Sequence, residues 1–335
     1  MEELMCRQAV VSAGHELVEK GLIARTWGNI SCRIDADRFA ITPSGMGYDH
    51  LTPEDIVVVN CRTMAHEEGK KPSGETGIHA AVYRLRPEVG FVIHTHQNAA
   101  SAISLGGAAQ LAPSAEERAV LGFDGPVPLA KYGLPCSKPL CKAVTEVLTG
   151  SDCTVLFMVR HGILAVGGDR EQAFARAEAL EHMCRRILKT EPPKKKKAID
   201  PAPFIKAVQA ARPDLTAFRF CDGDDVVRMS ESGKRLVPML DDFAQLVGTD
   251  IRCVPADRPE QAARAITGRN AVFIQGCGAL CCAGGEDDAQ AVEFLLEKEC
   301  LTQLNARQYG GARPLPLLDR CIMRRIYLYK YSKLK

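Results

Sequence analysis

The sequence has no run of 18 uninterrupted apolar residues, so no segment reads as a membrane span. Its opening, MEELMCRQAVVSAGHELVEKG, is acidic and amphipathic, without the basic n-region and apolar h-region of a secretory signal. Charge of one sign is lacking too. The 43 Lys and Arg stand against 41 Asp and Glu, and a formal +2 gives no ground for a nucleic acid or a membrane as partner. No C-x-x-C pair occurs among the 14 cysteines. Scattered thiols in a chain of this length, with no export signal, read as reduced, and the expected location is cytoplasmic. What is present is 335 residues, 46% of them hydrophobic, enough for two domains or one large one with a real core.

Helix and strand patterns alternate over the first 190 residues. Residues 2–20 read as a helix stopped by Gly21. TWGNISCRIDADRFAITPSG reads as two short strands with a turn near Asp35–Asp37, and DIVVVNC as another strand. GETGIHAAVYRLRP predicts a helix that stops before Pro87. SKPLCKAVTEVLTG predicts a helix ended by Gly150, TVLFMVRHGILAVGG one buried strand running into a Gly-rich turn, and DREQAFARAEALEHMCRRILKT a helix capped by Asp169. EPPKKKKAIDPAP, residues 191–203, reads as a solvated linker. Residues 204–335 partly repeat what precedes them. NAVFIQGCGALCCAGG aligns with CTVLFMVRHGILAVGG, placing Cys277 at His161; FIKAVQAARPDLTAFRFCD aligns with IHAAVYRLRPEVGFVIHTH, placing Phe220 at His94 and Asp222 at His96. The second domain is expected to be a truncated, metal-free half-repeat.

Phe91-Val92-Ile93 reads as a strand entering a core, and His94 and His96 then project from one face. Two imidazoles so placed make half of a tetrahedral zinc site, or a hydrogen-bonded pair at a strand end. His161, at the end of an apolar strand and before Gly162, completes a three-histidine set. Three protein ligands and one open position describe a catalytic metal site; imidazole accepts Zn2+, Mn2+ or Co2+. Glu75 opens the helix that carries His79; it reads as a helix-dipole carboxylate or as a general acid/base near the metal. His79, four residues on, reads as structural or as a support for the ligands. The turns TWGN and TPSG carry hydroxyls and backbone N–H groups of the kind that bind phosphate oxygens, and are also ordinary turns.

TWGNIS, TPSG, PSGE ahead of IH, HTH, and RHG before a long helix, in this order, resemble the class II aldolase/adducin family over about residues 5–190. The resemblance implies a three-layer α/β/α fold around a central, mostly antiparallel sheet, and a homo-oligomer, a tetramer in the family. It implies an aldolase that cleaves a ketose 1-phosphate, a sugar-phosphate substrate, to dihydroxyacetone phosphate and an aldehyde through a metal-stabilised ene-diolate. His94, His96 and His161 would hold Zn2+, and Glu75 would be the acid/base. Thr26, Gly28, Asn29, Thr42, Ser44, Gly45, Ser73 and Gly74 would line the substrate's phosphate pocket. The family usually has Ser-Ser-Glu where this chain has Ser73-Gly74-Glu75, so Gly74 removes one hydroxyl. Tyr132, Tyr327, Tyr329 and Tyr331 stay open as the distal acid. Relatives include pentulose-phosphate 4-epimerases, which usually carry Asp in place of Glu75, and methylthioribulose-phosphate dehydratases. Adducin-type scaffolds, which have lost the metal ligands, are the non-enzymatic alternative.

Overall fold

The computed structural model describes residues 2–23, 27–188, 192–309 and 313–329. The chain divides into two compact units, Met1–Leu188 and Lys189–Lys333. No helix among the described residues is long and apolar enough to cross a membrane.

In the first unit, α1 (Glu3–Glu19) ends where Gly21 turns left-handed, φ 64°, and the Leu22 N–H reaches back to the Leu17 carbonyl. Next come β1 (Gly28–Arg33), β2 (Arg38–Ile41), β3 (Val57–Asn60), α2 (Thr76–Leu85), β4 (Phe91–Thr95), α3 (Asn98–Ile103) and α4 (Ala115–Leu121). β5 (Leu129–Ala130), α5 (Lys138–Gly150), β6 (Val155–Met158), β7 (Gly162–Gly167) and α6 (Arg170–Ile187) complete it. Asp169 caps α6 by accepting the Gln172 N–H at 2.8 Å, as its position predicts.

The strands form one sheet in the order β3-β2-β1-β4-β7-β6-β5. All neighbours are antiparallel except β5 and β6. Alternation along the strands sorts the core into two slabs. Phe39, Ile41, Val57, Val59, Val92 and Leu164 pack with Ile78 and Val82 of α2 and Leu140 and Val144 of α5. Ala40, Ile56, Val58, Phe91 and Ile93 pack with Val10 and Leu17 of α1 and Phe174 of α6. The result is the expected three-layer α/β/α arrangement with a mostly antiparallel sheet.

One expectation needs correcting. TVLFMVRHGILAVGG is not a single strand but the hairpin β6–β7. Arg160 takes a left-handed backbone, φ 71°, and turns the chain between the strands; a non-glycine residue there gives no turn signal in the sequence. Small helices α3 and α4 also escape the periodicity, being six and seven residues long.

The second unit holds α7 (Ala202–Ala211), β8 (Ala217–Cys221), α8 (Asp224–Glu231), α9 (Asp241–Leu246), β9 (Cys253–Val254), α10 (Ala262–Ala265), β10 (Ala271–Ile274), β11 (Gly278–Ala283), α11 (Glu286–Gln308) and α12 (Leu317–Tyr329). Its sheet runs β8-β11-β10-β9. It is a smaller α/β domain resembling a truncated copy of the first. The lysine run before α7 is exposed yet tied to its own unit. Glu231 accepts the Lys195 N–H, Lys196 pairs with Asp222 at 3.0 Å, and Gly276 accepts the Lys197 N–H.

Candidate metal centre

Four segments of the first unit meet at one end of its sheet. His94 is the fourth residue of β4, opposite Asn29 on β1 and Leu164 on β7. Both neighbouring strands come close through glycine. Gly28 has φ 115°, and a Cβ there would stand 2.6 Å from the His94 carbonyl oxygen; a Cβ on Gly162 would collide with the Thr95 carbonyl. His96 follows the strand, and α3 after it is pinned by the buried carboxylate of Glu181, which accepts the N–H groups of Ala99 and Ala100, each at 3.0 Å. His161 sits in the β6–β7 hairpin, its N–H on the Met158 carbonyl at 3.0 Å. Glu75 is the N-cap residue of α2.

The three imidazoles and the carboxylate converge in the interior, each at most 6% exposed. His94 Nδ1 lies 2.7 Å from the Ile163 carbonyl, to which it donates, so Nε2 of the neutral ring carries the lone pair. That Nε2 is 3.0 Å from Nε2 of His96 and 3.3 Å from Glu75 Oε2, while His161 Nε2 is 2.9 Å from Glu75 Oε1. One nitrogen from each ring lies within 4.8 Å of the other two. Ligand atoms arranged tetrahedrally at zinc–nitrogen distances of 2.0–2.1 Å stand about 3.3 Å apart, close to these separations. The donor set, three imidazoles with a carboxylate at their edge, fits a borderline divalent cation.

The electrostatics agree with that fit. Burial pushes the Glu75 carboxyl up, but the imidazoles of His161 and His94 and the hydrogen bond from Asn29 outweigh it and hold the group well below the usual carboxylate range. His79 is fully buried, and burial together with nearby His94 drives its pKa down to about 3, so its ring is neutral.

The expected phosphate-binding turns lie beside one another. A backbone bridge joins Pro43 to Pro72, Ser73 donates its N–H to the Thr42 carbonyl at 3.1 Å, and Ser44 donates its N–H to Lys71 at 2.9 Å. The Thr42 hydroxyl faces inward and accepts the Ile30 N–H; Gly45 has φ 81°; the Ser73 hydroxyl accepts the Glu75 N–H. Asn29 points its amide at Glu75, 3.0 Å away. Thr26 and Tyr331 lie outside the described residues. Tyr132 lies beneath the Arg160 guanidinium, 5.7 Å from the ring centroid, whereas Tyr327 and Tyr329 belong to α12 of the second unit.

Gly74 has a neighbour that sequence reading does not suggest. A Cβ at this position would collide with Sγ of Cys136, a residue with a left-handed backbone, φ 59°. Gly74, Glu75, Ile78, Cys136, Lys138 and Leu140 line a pocket of about 210 Å³. Ser31 and Tyr83 were also missed. Ser31 hydrogen-bonds both His79 and Tyr83, and the signal was available: Ser31 shares a strand face with Asn29, and Tyr83 lies one helical turn beyond His79.

Comparison with known proteins agrees with this architecture. Residues 8–188 match the model of the class II aldolase and adducin N-terminal domain. The chain is 32% identical over 183 residues to 5-deoxy-D-ribulose 1-phosphate aldolase of Bacillus thuringiensis serovar kurstaki, covering 54% of this chain and 83% of that one. It is 32% identical over 189 residues to methylthioribulose-1-phosphate dehydratase of Pectobacterium atrosepticum, covering 52% and 89%. Among solved structures, YgbL of Escherichia coli, a putative aldolase/epimerase/decarboxylase, superimposes with a TM-score of 0.51 at 24% identity, over 57% of this chain and 92% of that one, which speaks for the fold. With more than half of its length matched by the family model, the chain belongs to the class II aldolase and adducin family.

Proposed function

We propose that the first unit is a zinc-dependent aldolase that reversibly cleaves a ketose 1-phosphate into dihydroxyacetone phosphate and an aldehyde. The observation that carries this reading is the convergence of His94, His96 and His161 on the Glu75 carboxyl in a buried interior. His94, His96 and His161 would hold a divalent cation, which would supply Lewis-acid charge to polarise the substrate carbonyl. The chain's own residues do the rest. Glu75 is the proton carrier: as the C3–C4 bond breaks, the C4 hydroxyl gives up its proton and becomes the aldehyde carbonyl, the electron pair stays on C3, and the Glu75 carboxylate takes up a proton and delivers it to C3. The facing turns at residues 42–45 and 72–74 offer hydroxyls and backbone N–H groups to the phosphate. No lysine is needed as a Schiff-base nucleophile.

A dehydratase is the second reading, favoured by the relative of that activity matched over 89% of its length. Glu75 speaks against the epimerase reading, given the Asp of epimerases, and the intact histidine set against a scaffold. Incubating the metal-analysed protein with a panel of ketose 1-phosphates and resolving products by mass spectrometry decides among them. Release of dihydroxyacetone phosphate supports the aldolase. Loss of water without carbon–carbon cleavage would replace it with the dehydratase. We infer further that the second unit is metal-free, since Phe220, Asp222 and Cys277 stand where the first unit has His94, His96 and His161. One zinc per chain by mass spectrometry is expected, and two would refute that inference.

A further inference from the structure

A chain of five buried side chains runs from the interior of the α2 layer to Glu75. Tyr83 OH is 2.8 Å from Ser31 Oγ, Ser31 Oγ is 2.6 Å from His79 Nδ1, His79 Nε2 is 2.5 Å from Asn29 Oδ1, and Asn29 Nδ2 is 3.0 Å from Glu75 Oε2. All five residues are at most 6% exposed, and the links join two elements, β1 and α2.

The orientation of one amide sets the polarity of every link. Asn29 turns its NH2 toward Glu75 Oε2 and its oxygen toward His79 Nε2. His79 must then donate from Nε2, which leaves Nδ1 of the neutral ring as an acceptor. The Ser31 hydroxyl donates to Nδ1 and is left to accept from Tyr83. No member can reverse without breaking a buried hydrogen bond.

Resting on the aldolase reading, we propose that His79 is a positioning residue for Glu75: its Nε2–H, oriented by Ser31 and Tyr83, locks the Asn29 amide so that its donor faces the carboxylate. Without that donor the amide is free to flip, and a flipped amide presents oxygen to oxygen and pushes Glu75 out of line.

Nitrogen-resolved NMR of the metal-loaded protein, labelled on histidine, tests the link without any substrate. A single proton on Nε2 of His79 is expected; a proton on Nδ1, or on both nitrogens at pH 7, overturns the proposal. Kinetics test the consequence. His79→Leu is expected to lower kcat about 10- to 100-fold with KM changed less than about threefold and metal content unchanged, the usual cost of losing a supporting partner. His79→Gln, whose amide N–H can replace the Nε2 donor, should recover most of that loss. A His79→Leu protein with kcat within about twofold of wild type, or a His79→Gln protein as impaired as His79→Leu, refutes positioning. Should His79→Leu fail to fold, Ser31→Ala removes one hydroxyl instead, and loss of the Nε2–H form with a lower kcat is the expected result; an unchanged tautomer and kcat overturns the proposal. If the wild type turns over no ketose phosphate, the aldolase reading falls while the NMR result still decides the proposal.

Discussion

The half-sheet β4-β7-β6-β5 of the first unit and the sheet β8-β11-β10-β9 of the second have the same order and the same directions, down to the one parallel pair at the end. Their registers match as well. His94 faces Leu164 and Phe220 faces Leu280; Val155 faces Ala165 and Ala271 faces Cys281. The glycine that lets the next strand approach recurs: a Cβ on Gly162 would strike the Thr95 carbonyl, and one on Gly278 the Cys221 carbonyl. The polar residues differ. Phe220, Asp222 and Cys277 stand where the first unit has His94, His96 and His161; Pro201 precedes α7 where Glu75 precedes α2; Ile205 stands at His79. Among the described residues, no strand of the second unit's sheet corresponds to β1, which carries Asn29 and Ser31. Apolar alternation and a few glycines preserve a frame, whereas the chemistry rests on a handful of side chains that can be exchanged without disturbing it.

The largest expected effect comes from making the first unit resemble the second. His94→Ala with His96→Ala should take zinc from about one per chain to none and lower activity more than about 100-fold, since removing ligands exceeds the 10- to 100-fold cost of losing their supports; metal analysis and product assay check it, and far-ultraviolet circular dichroism should stay unchanged. Gly74→Ser comes next. Its Cβ meets Cys136, and overpacking of this kind costs about 1–3 kcal/mol. Thermal unfolding should show the loss, and Gly74→Ser with Cys136→Ala, which removes Sγ but keeps Cβ, should regain part of it.

A pH effect should distinguish the units. Glu299, fully buried on α11, has its carboxyl pushed up to about 8, chiefly by burial, although Gln303 and the N–H groups of Met239 and Leu240 oppose the rise. Raised above its unfolded value, it binds a proton in the folded state that the unfolded chain has released. Its contribution to stability is present below about pH 4.5 and is lost as pH rises toward about 8, with a slope of at most about 1.4 kcal/mol per pH unit. Glu299→Gln should flatten that dependence in hydrogen-exchange measurements on the second unit and leave the first unit unaffected. The smallest effect concerns the hairpins. Arg160 and Gly276 occupy equivalent turn positions with the same φ of 71°, which only glycine adopts without strain. Arg160→Gly should raise stability by no more than about 1 kcal/mol in denaturant titration.

Several of these features were legible from sequence, for identifiable reasons. His94 and His96 could be read because a strand repeats every two residues. The half-repeat could be read because its apolar pattern survived. The β6–β7 hairpin could not, because its left-handed residue is an arginine in one copy and glycine only in the other. The fit between Gly74 and Cys136 was hidden because the two are far apart in sequence. The Tyr83-to-Glu75 chain was half visible: each element's face was readable, but nothing in the sequence aligns a helix face with a strand face.

Cys136 has a further use. It and Cys321 are the two exposed cysteines of this chain. A Cys321→Ser protein would therefore take an environment-sensitive dye preferentially on the wall of the Glu75 pocket, where fluorescence could follow a small molecule's arrival before any bond is broken.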